Sequence, residues 1–185
     1  MTSPTRSVIR ALIGLLLPAT LAGQAVAPEE YAARRDSLAA RLGDGVVVAY
    51  GAPSPTGVNR QAQLPAFRWL TGFLEPDAAL VLMLRGGHAT GILFTQPRDP
   101  RRVLYDGFPP DSAAVTRATG LGARSIAALT PTLDSLAGTG QTFFTLRDYA
   151  GDDYADTDSL TRGAVFMRGF AERHRNLPFV AALES

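Results

Sequence analysis

The hydrophobic and polar positions near the N-terminus follow first a helical and then a strand pattern. The segment PEEYAARRDSLAARLG begins with a proline and two acidic residues, ends with a glycine, and places Tyr31, Leu38 and Leu42 on one helical face. These signals predict a helix over the whole segment. The run VVVAYG, which starts at Val46, is short, β-branched and closed by glycine, and it predicts a buried strand.

The next stretch lacks a regular hydrophobic period. Residues 51–65 contain three prolines and two glycines, so a loop is predicted there. The sequence WLTGFLEPDAALVLML follows, and we interpret its first half as a turn that leads into a buried strand. In this turn Trp69 and Phe73 are expected to pack as aromatic anchors on either side of Thr71-Gly72.

Two apolar runs around a pair of glycines predict a β-hairpin. Residues 78–84 and 89–94 flank Gly86-Gly87, and a two-residue hairpin turn of this kind requires positive φ angles. After a break at QPRDP, the segment RRVLYDG at 101–107 predicts a further short strand that ends at a glycine.

The C-terminal half returns to helical patterns. PDSAAVTRATG predicts one helix, and TPTLDSLAG predicts another, with Thr130 as N-cap and Pro131 in the first helical position. A strand at 141–146 and a helix from Ser159 to about His174 complete the chain. This order of elements predicts a single α/β domain in which helices flank a mixed β-sheet.

Composition narrows the classes of function. The chain is 46% hydrophobic and 19% charged, which suits one globular domain, and all 18 of its basic residues are arginine. Chemistry that requires a lysine amine is therefore excluded. Residues 1–27 hold two arginines and no acidic residue, so the remainder carries 16 arginines against 17 acidic residues, a net charge of −1. This balance gives no electrostatic footprint for nucleic acid or an anionic membrane.

The first 27 residues predict a signal peptide. Arg6 and Arg10 form a positive n-region, residues 11–22 are apolar, and Ala25-Val26-Ala27 has the pattern of a cleavage site, with the cut after Ala27. The alternative is an uncleaved N-terminal anchor, but the apolar stretch is short for a bilayer span. We expect a secreted or periplasmic protein without a membrane segment in its mature form. It would have to fold without disulfides, because the sequence contains no cysteine.

The candidate catalytic residues do not form a recognisable constellation. His88 and His174 are the two histidines, neither has metal-ligand spacing, and a surface turn residue and a helix-terminal cation are the simpler interpretations. Ser54 stands in GAPSPTG, where prolines on both sides are incompatible with a nucleophile elbow. Gly138-x-Gly140 precedes a strand, which is the wrong context for a dinucleotide site.

Two charged segments could bind ligands, but each has a simpler interpretation. Asp152, Asp153, Asp156 and Asp158 lie close together, yet the glycine and the terminal acid of a calcium loop are missing. A solvated loop, with Asp158 capping the following helix, is favoured over a metal site. The arginines of QPRDPRR are interpreted as a solvated turn or an interface rim.

Four segments in a fixed order resemble the N-terminal domain of aminopeptidase P, in the creatinase and prolidase group. They cover about residues 29–136 within a predicted domain of residues 28–185, and they read EEYAARRDSLAARLGDGVVVAYGA, WLTGFLEPDAALVLML, ILFTQPRDPRRVLYDG and GARSIAALTPTLDSL. The resemblance implies an α/β fold with a mixed sheet. It also implies a following pita-bread catalytic domain with two divalent metals, usually manganese, whose ligands have no counterparts in this sequence.

The resemblance carries one residue assignment. Tyr105 matches the aromatic position of an aromatic-x-Gly segment that in the family approaches the active site of a neighbouring subunit. Tyr105 is therefore a candidate substrate-binding residue, although the Phe-Pro-Pro that follows Gly107 departs from the arginine-rich continuation of the family. A tyrosine packed at a strand end is the simpler interpretation. No catalytic residue and no metal ligand of the family can be placed on this chain.

The resemblance leaves two hypotheses for function. The first is the non-catalytic N-terminal domain of an Xaa-Pro aminopeptidase-like hydrolase, from a truncated or split enzyme that would remove an N-terminal residue preceding proline. Its partner would be a catalytic pita-bread domain or a homologous subunit, and the chain alone is expected to be inactive. The second is a stand-alone exported binding or assembly module that has kept the fold and lost the peptidase.

Overall fold

A computed structural model describes residues 26–54, 62–97, 110–146 and 162–183 of the chain. The helices are α1 (Pro28–Leu42), α2 (Pro65–Thr71), α3 (Ser112–Thr119), α4 (Leu129–Ala137) and α5 (Arg162–Arg173), with a 3-10 turn at Ile126–Ala128. The strands are β1 (Gly45–Tyr50), β2 (Ala79–Arg85), β3 (His88–Thr95), β4 (Gly122–Ser125), β5 (Phe143–Leu146) and β6 (Phe179–Leu183).

The six strands form one mixed sheet in the order β4-β3-β2-β1-β5-β6. β2 pairs antiparallel with β1 and β3, whereas the β1–β5, β5–β6 and β3–β4 pairs are parallel. β2 therefore runs opposite to the other five strands, and the carboxyl ends of those five lie along one edge of the sheet. The predicted α/β fold with a mixed sheet and flanking helices is confirmed.

The sheet is covered on both faces, which explains the continuous apolar runs in its central strands. On β1, Val47 and Ala49 join a buried cluster with α1, α2 and α3, while Val46 and Val48 join a second cluster with α4 and α5. All four side chains are at most 1% exposed. The period of two along the strand thus divides its side chains between two hydrophobic layers.

The first helix and the hairpin match their predictions. α1 ends at Leu42, and Gly43 follows with a positive φ of 76°. In the hairpin Arg85 faces His88 across the predicted two-residue turn, in which Gly86 and Gly87 have φ angles of 57° and 80°.

In the region of α2 the structure differs from two predictions. Residues 65–71 form α2, although position 65 was assigned to a loop and positions 69–71 to a turn. Pro65 occupies its first turn and Gly72 ends it in the left-handed conformation, and these signals were missed because seven residues are too few to show a helical period. Phe73 is buried as expected, but Trp69 is 49% exposed, so its assignment as a packed anchor was wrong.

Two edge strands and one helix start also differ from the predictions. The edge strands β4 and β6 were not predicted: GARS is four residues long and mostly exposed, and FVAAL follows closely after a helix. Thr130 was expected to cap α4, but the Ser125 side chain caps the 3-10 turn instead, and this turn continues directly into a helix that starts at Leu129. Thr130 and Pro131 therefore lie inside the helix.

Several predictions fall outside the described residues. They concern most of the predicted signal peptide, the predicted strand at 101–107 with Tyr105, the aspartates of 152–158 and the first residues of the last predicted helix. Within the described parts of the chain, every helix is too short or too polar to cross a membrane.

Asp36 on α1 holds the β2–β3 hairpin against the helix. Its Oδ1 accepts a hydrogen bond from the Ala89 backbone N–H at 2.8 Å, and its Oδ2 lies 3.3 Å from Nδ1 of His88. The Ala89 N–H has the largest effect in lowering the pKa of Asp36, with smaller contributions from His88 and Arg35. A lowered pKa means that the folded state stabilises the ionised carboxylate.

We expect this contact to make the free energy of unfolding depend on pH in the acid range. Because the pKa is lowered on folding, the stabilisation is present above the ordinary aspartate pKa and is lost as the pH falls through the folded value. Asp36→Asn keeps an oxygen for the Ala89 N–H but removes the charge, and its cost at pH 7 should stay within about 1 kcal/mol because the side chain is partly exposed. Urea unfolding should show a difference from wild type at pH 7 that is smaller at pH 3. An equal difference at both pH values would contradict this account.

Candidate functional site

Two helices on the same face of the sheet end in the same Thr-Gly structure. In α2 the Thr71 hydroxyl donates to the Phe67 carbonyl at 2.7 Å and accepts from the Phe73 N–H at 3.0 Å. Thr71 is fully buried, and Gly72 adopts a φ of 66° while its N–H donates to the Arg68 carbonyl. Glycine suits this position because the left-handed conformation is strained for residues with a Cβ.

The end of α3 repeats this arrangement. The Thr119 hydroxyl donates to the Val115 carbonyl at 2.8 Å and accepts from the Leu121 N–H at 3.1 Å. Gly120 has a φ of 68°. The common sequence signal is a Thr-Gly pair followed by an apolar residue, in WLTGF and RATGL.

Arg35 of α1 lies between the two Thr-Gly ends. Its side chain is 3% exposed, and Nη1 donates to the Leu70 carbonyl at 3.0 Å and to the Thr119 carbonyl at 3.2 Å. Burial lowers the pKa of Arg35, while the neighbouring Asp36 raises it; an arginine keeps its proton in either case. The last carbonyls of a helix carry its negative dipole end, so two helix ends compensate this buried cation.

The neighbouring Arg34 forms a partly exposed surface with two aromatic residues, and its own side chain is 22% exposed. Its Cζ lies 5.2 Å from the centre of the Tyr31 ring and 5.4 Å from that of Trp69, within cation–π range. Its Nε bonds Glu30 at 3.1 Å, and Nη1 donates to the Trp69 carbonyl at 3.2 Å. Leu74, just beyond the end of α2, is 55% exposed. Tryptophan, tyrosine and arginine are the residue types most often found at binding hot spots.

The fluorescence of Trp69 tests this exposure directly, because it is the sole tryptophan of the sequence. With the side chain half exposed, acrylamide should quench the emission of the folded chain with at least about half the efficiency seen in urea. A buried tryptophan would be largely shielded until unfolding. Strong protection of the folded state would show that Trp69 packs as an anchor after all, or is covered in solution.

At the carboxyl edge of the sheet, a hydrogen-bond network joins the segments that follow β1 and precede β2. The Ser54 hydroxyl and N–H both donate to Oδ2 of Asp77, at 2.5 and 3.2 Å, and Gln63 Oε1 accepts from the Ala52 N–H at 2.6 Å. Asp77 has a φ of 54° although it is not a glycine. Its carbonyl accepts from Gln96 after β3 at 3.4 Å. Ligands of open α/β sheets usually bind at this edge, so it is the candidate site by position.

Within the described residues, the hydrogen bonds at this edge join loop segments to one another. Ser54 donates to a carboxylate, whereas an activated nucleophile donates to a base such as histidine. His88 is hydrogen-bonded to Asp36, and Nε2 of His174 lies 2.9 Å from Asp134.

One polar atom beside this edge has no partner within the described residues. The Tyr50 hydroxyl, at the carboxyl end of β1, is buried without a hydrogen bond there, and its ring packs 5.5 Å from Phe166 of α5. Burial raises the pKa of Tyr50, so the phenol is neutral at physiological pH. A neutral phenol can donate one hydrogen bond, but it cannot serve as a base.

Metal ligands do not cluster in the described part of the chain: no three His, Asp or Glu side chains converge there. The described residues therefore do not fit the two-metal centre that the sequence resemblance implies for a separate catalytic domain. The aspartates at 152–158 and the candidate substrate-binding residue Tyr105 lie outside the described residues. Arg35 and Asp77 were not singled out from the sequence, because adjacent arginines and isolated aspartates give no signal of burial or strain.

Comparison with known proteins identifies one family for this chain. The model of the family described as "Aminopeptidase P, N-terminal domain" matches residues 31–144. A search of curated proteins found no match.

Solved structures share the fold at low sequence identity. A putative aminopeptidase P from Bacillus anthracis has a TM-score of 0.68 and 16% identity, over 84% of this chain and 38% of that protein. Aminopeptidase P from Escherichia coli with the inhibitor Pro-Leu has a TM-score of 0.64, 20% identity and coverages of 87% and 37%. Proline aminopeptidase P II from Yersinia pestis has a TM-score of 0.60, 24% identity and coverages of 84% and 37%. The chain thus spans less than two fifths of each of these proteins.

Proposed function

The chain belongs to the aminopeptidase P N-terminal domain family, and from this membership we propose that it is the non-catalytic domain of an Xaa-Pro aminopeptidase-like metallopeptidase. The observation that carries the proposal is the family match over residues 31–144, in a chain that spans 37–38% of the solved aminopeptidases. In the complete assembly a catalytic domain would remove an N-terminal residue that precedes proline. Manganese and the catalytic groups would belong to that second domain.

The partner in this proposal is a pita-bread catalytic domain, supplied by another polypeptide or by a homologous subunit. The described geometry supports a scaffold role: a sheet buried on both faces, helix ends fixed by one arginine, and a carboxyl edge joined by hydrogen bonds. Tyr105 stays a predicted substrate contact. A truncated gene and a split enzyme are both compatible with this partner.

A peptidase assay tests the proposal. The purified chain, incubated with Gly-Pro and Arg-Pro peptides and Mn²⁺, should release no N-terminal residue above the buffer control. Escherichia coli aminopeptidase P, assayed in the same buffer, supplies the positive control. Robust turnover by the chain, which persists after a second purification step, would contradict a non-catalytic role.

The proposal includes export of the chain and cleavage after Ala27. In support, α1 begins at Pro28, one residue beyond the proposed cut, and Ala27 contributes no side-chain cap to the helix. Among the described contacts, removal of residues 1–27 would cost α1 the hydrogen bond from the Glu30 N–H to the Ala27 carbonyl, while every residue of the helix would remain. Intact-mass measurement of the exported protein should give a chain that starts at Pro28; a chain that keeps Arg6 and Arg10 would support the uncleaved anchor instead.

A stand-alone binding or assembly module is the second candidate, and the partly exposed surface of Tyr31, Arg34 and Trp69 favours it. Such a surface could contact a protein partner without any peptidase. The neighbouring DNA separates the two candidates. A downstream reading frame that encodes the metal ligands of the catalytic domain supports the first, and an unrelated gene supports the second.

A further inference from the structure

One buried guanidinium contacts two helix ends that are distant in the sequence. Both contacts use Nη1 of Arg35, whose two N–H groups point to the Leu70 carbonyl at the end of α2 and to the Thr119 carbonyl at the end of α3. Each Thr-Gly end also has its own local hydrogen bonds, through Thr71 and Thr119. Local capping thus suffices to form each end, and Arg35 adds a connection between them.

The connection has an energetic consequence because the cation is buried. Its nearest acidic neighbour in sequence, Asp36, is half-buried and bonds the hairpin rather than the guanidinium. If one helix end unwinds, Arg35 loses one of the two acceptors that the described residues provide, and water that enters at the opened end hydrates the guanidinium in its place. The hydrogen bond to the other helix end then contributes less to stability. Unwinding of one end therefore makes unwinding of the other less costly.

We propose that Arg35 couples the carboxyl ends of α2 and α3, so that the two helix ends open and close as one cooperative unit. The proposed function gives Arg35 no such role. The coupling is a conformational device: a disturbance at one helix is transmitted to the other across α1. Cooperative units of this kind open below the free energy of global unfolding.

Native-state hydrogen exchange with single-residue resolution tests the coupling on the full chain. Ala118→Gly places a glycine in the last turn of α3 at an exposed position and weakens that helix by about 1 kcal/mol, equivalent to about five-fold faster exchange. With Arg35 in place, exchange of the Gly72 and Phe73 amides at the end of α2 should accelerate several-fold together with that of Gly120 and Leu121. Core amides of β1 report global opening and should accelerate less.

A matched control and a second background make the result decisive. Ser135→Gly weakens α4 on the opposite face of the sheet and should leave the α2 amides unchanged. In an Arg35→Met background, or in Arg35→Lys if the methionine variant does not fold, Ala118→Gly should accelerate exchange in α3 while the α2 amides respond much less. The proposal is overturned if Ala118→Gly leaves the exchange rates of the α2 amides unchanged in the wild-type background. It is also overturned if Ala118→Gly accelerates exchange of these amides equally in both backgrounds.

Discussion

Replacement of Gly72 by valine is expected to remove a large part of the stability of this chain. Gly72 has a φ of 66°, and a Cβ built there would lie 2.3 Å from Cζ of Tyr31. The left-handed conformation costs a β-branched residue about 1–3 kcal/mol, and relief of the overlap costs about 1–3 kcal/mol more. Total stabilities are about 5–15 kcal/mol, so thermal unfolding should occur roughly 5–20 °C lower.

The two contributions can be separated with variants of the same chain. Gly86 has a φ of 57° and nothing within 4 Å of a built Cβ, so Gly86→Val should show the conformational cost alone. In a Tyr31→Ala background, where the overlap is absent, the cost of Gly72→Val should fall to the Gly86→Val value. A Gly72→Val protein that melts like wild type would show that this turn does not require glycine.

Arg35→Met is expected to destabilise the chain by roughly 2–4 kcal/mol. Methionine fills similar space but leaves the Leu70 and Thr119 carbonyls without their donor, and each unsatisfied buried group costs about 1–3 kcal/mol. The desolvation that lowers the pKa of Arg35 is relieved in the variant, which offsets part of this loss. The net effect on the free energy of unfolding is a loss, because both carbonyls stay at the buried helix ends when residue 35 is replaced.

Urea unfolding at pH 7 measures this effect, with two controls. Arg41→Met, the same change at an exposed position of α1, should cost about 0.5 kcal/mol or less. Arg35→Lys keeps the charge but replaces the planar fork by a point cation, so its cost should lie between wild type and methionine. Equal stabilities of Arg35→Met and Arg41→Met would mean that the two carbonyls find other donors.

Local patterns predicted most of the secondary structure. The α1 segment shows several turns of amphipathic period with start and stop signals, and the hairpin glycines at 86 and 87 fix both the turn and the pairing around it. The strands missed, β4 and β6, are short edge strands, and the helix missed, α2, has only seven residues. In such short elements periodicity gives almost no signal, and pairing with neighbours decides the conformation.

The family could also be predicted from the sequence, whereas the candidate site could be predicted only in part. An ordered series of motifs indicated the aminopeptidase P N-terminal domain, and the family match confirms it. The network of Ser54, Gln63 and Asp77 could not be predicted, because its members lie up to 23 residues apart in the connection between β1 and β2, and only the folded connection brings them together. The role of Tyr105 stays a prediction.

The sequence by itself determined where the main helices and strands lie, because hydrophobic period, caps and turn glycines act between residues a few positions apart. The tertiary structure alone decided which of two adjacent arginines is buried: Arg35 joins two helix ends at 3% exposure, while Arg34 lies beside a half-exposed Trp69. The two arginines are chemically identical and differ by about 100° around the axis of α1. Only the packing of α2 and α3 against that axis assigns one to the interior and the other to the surface.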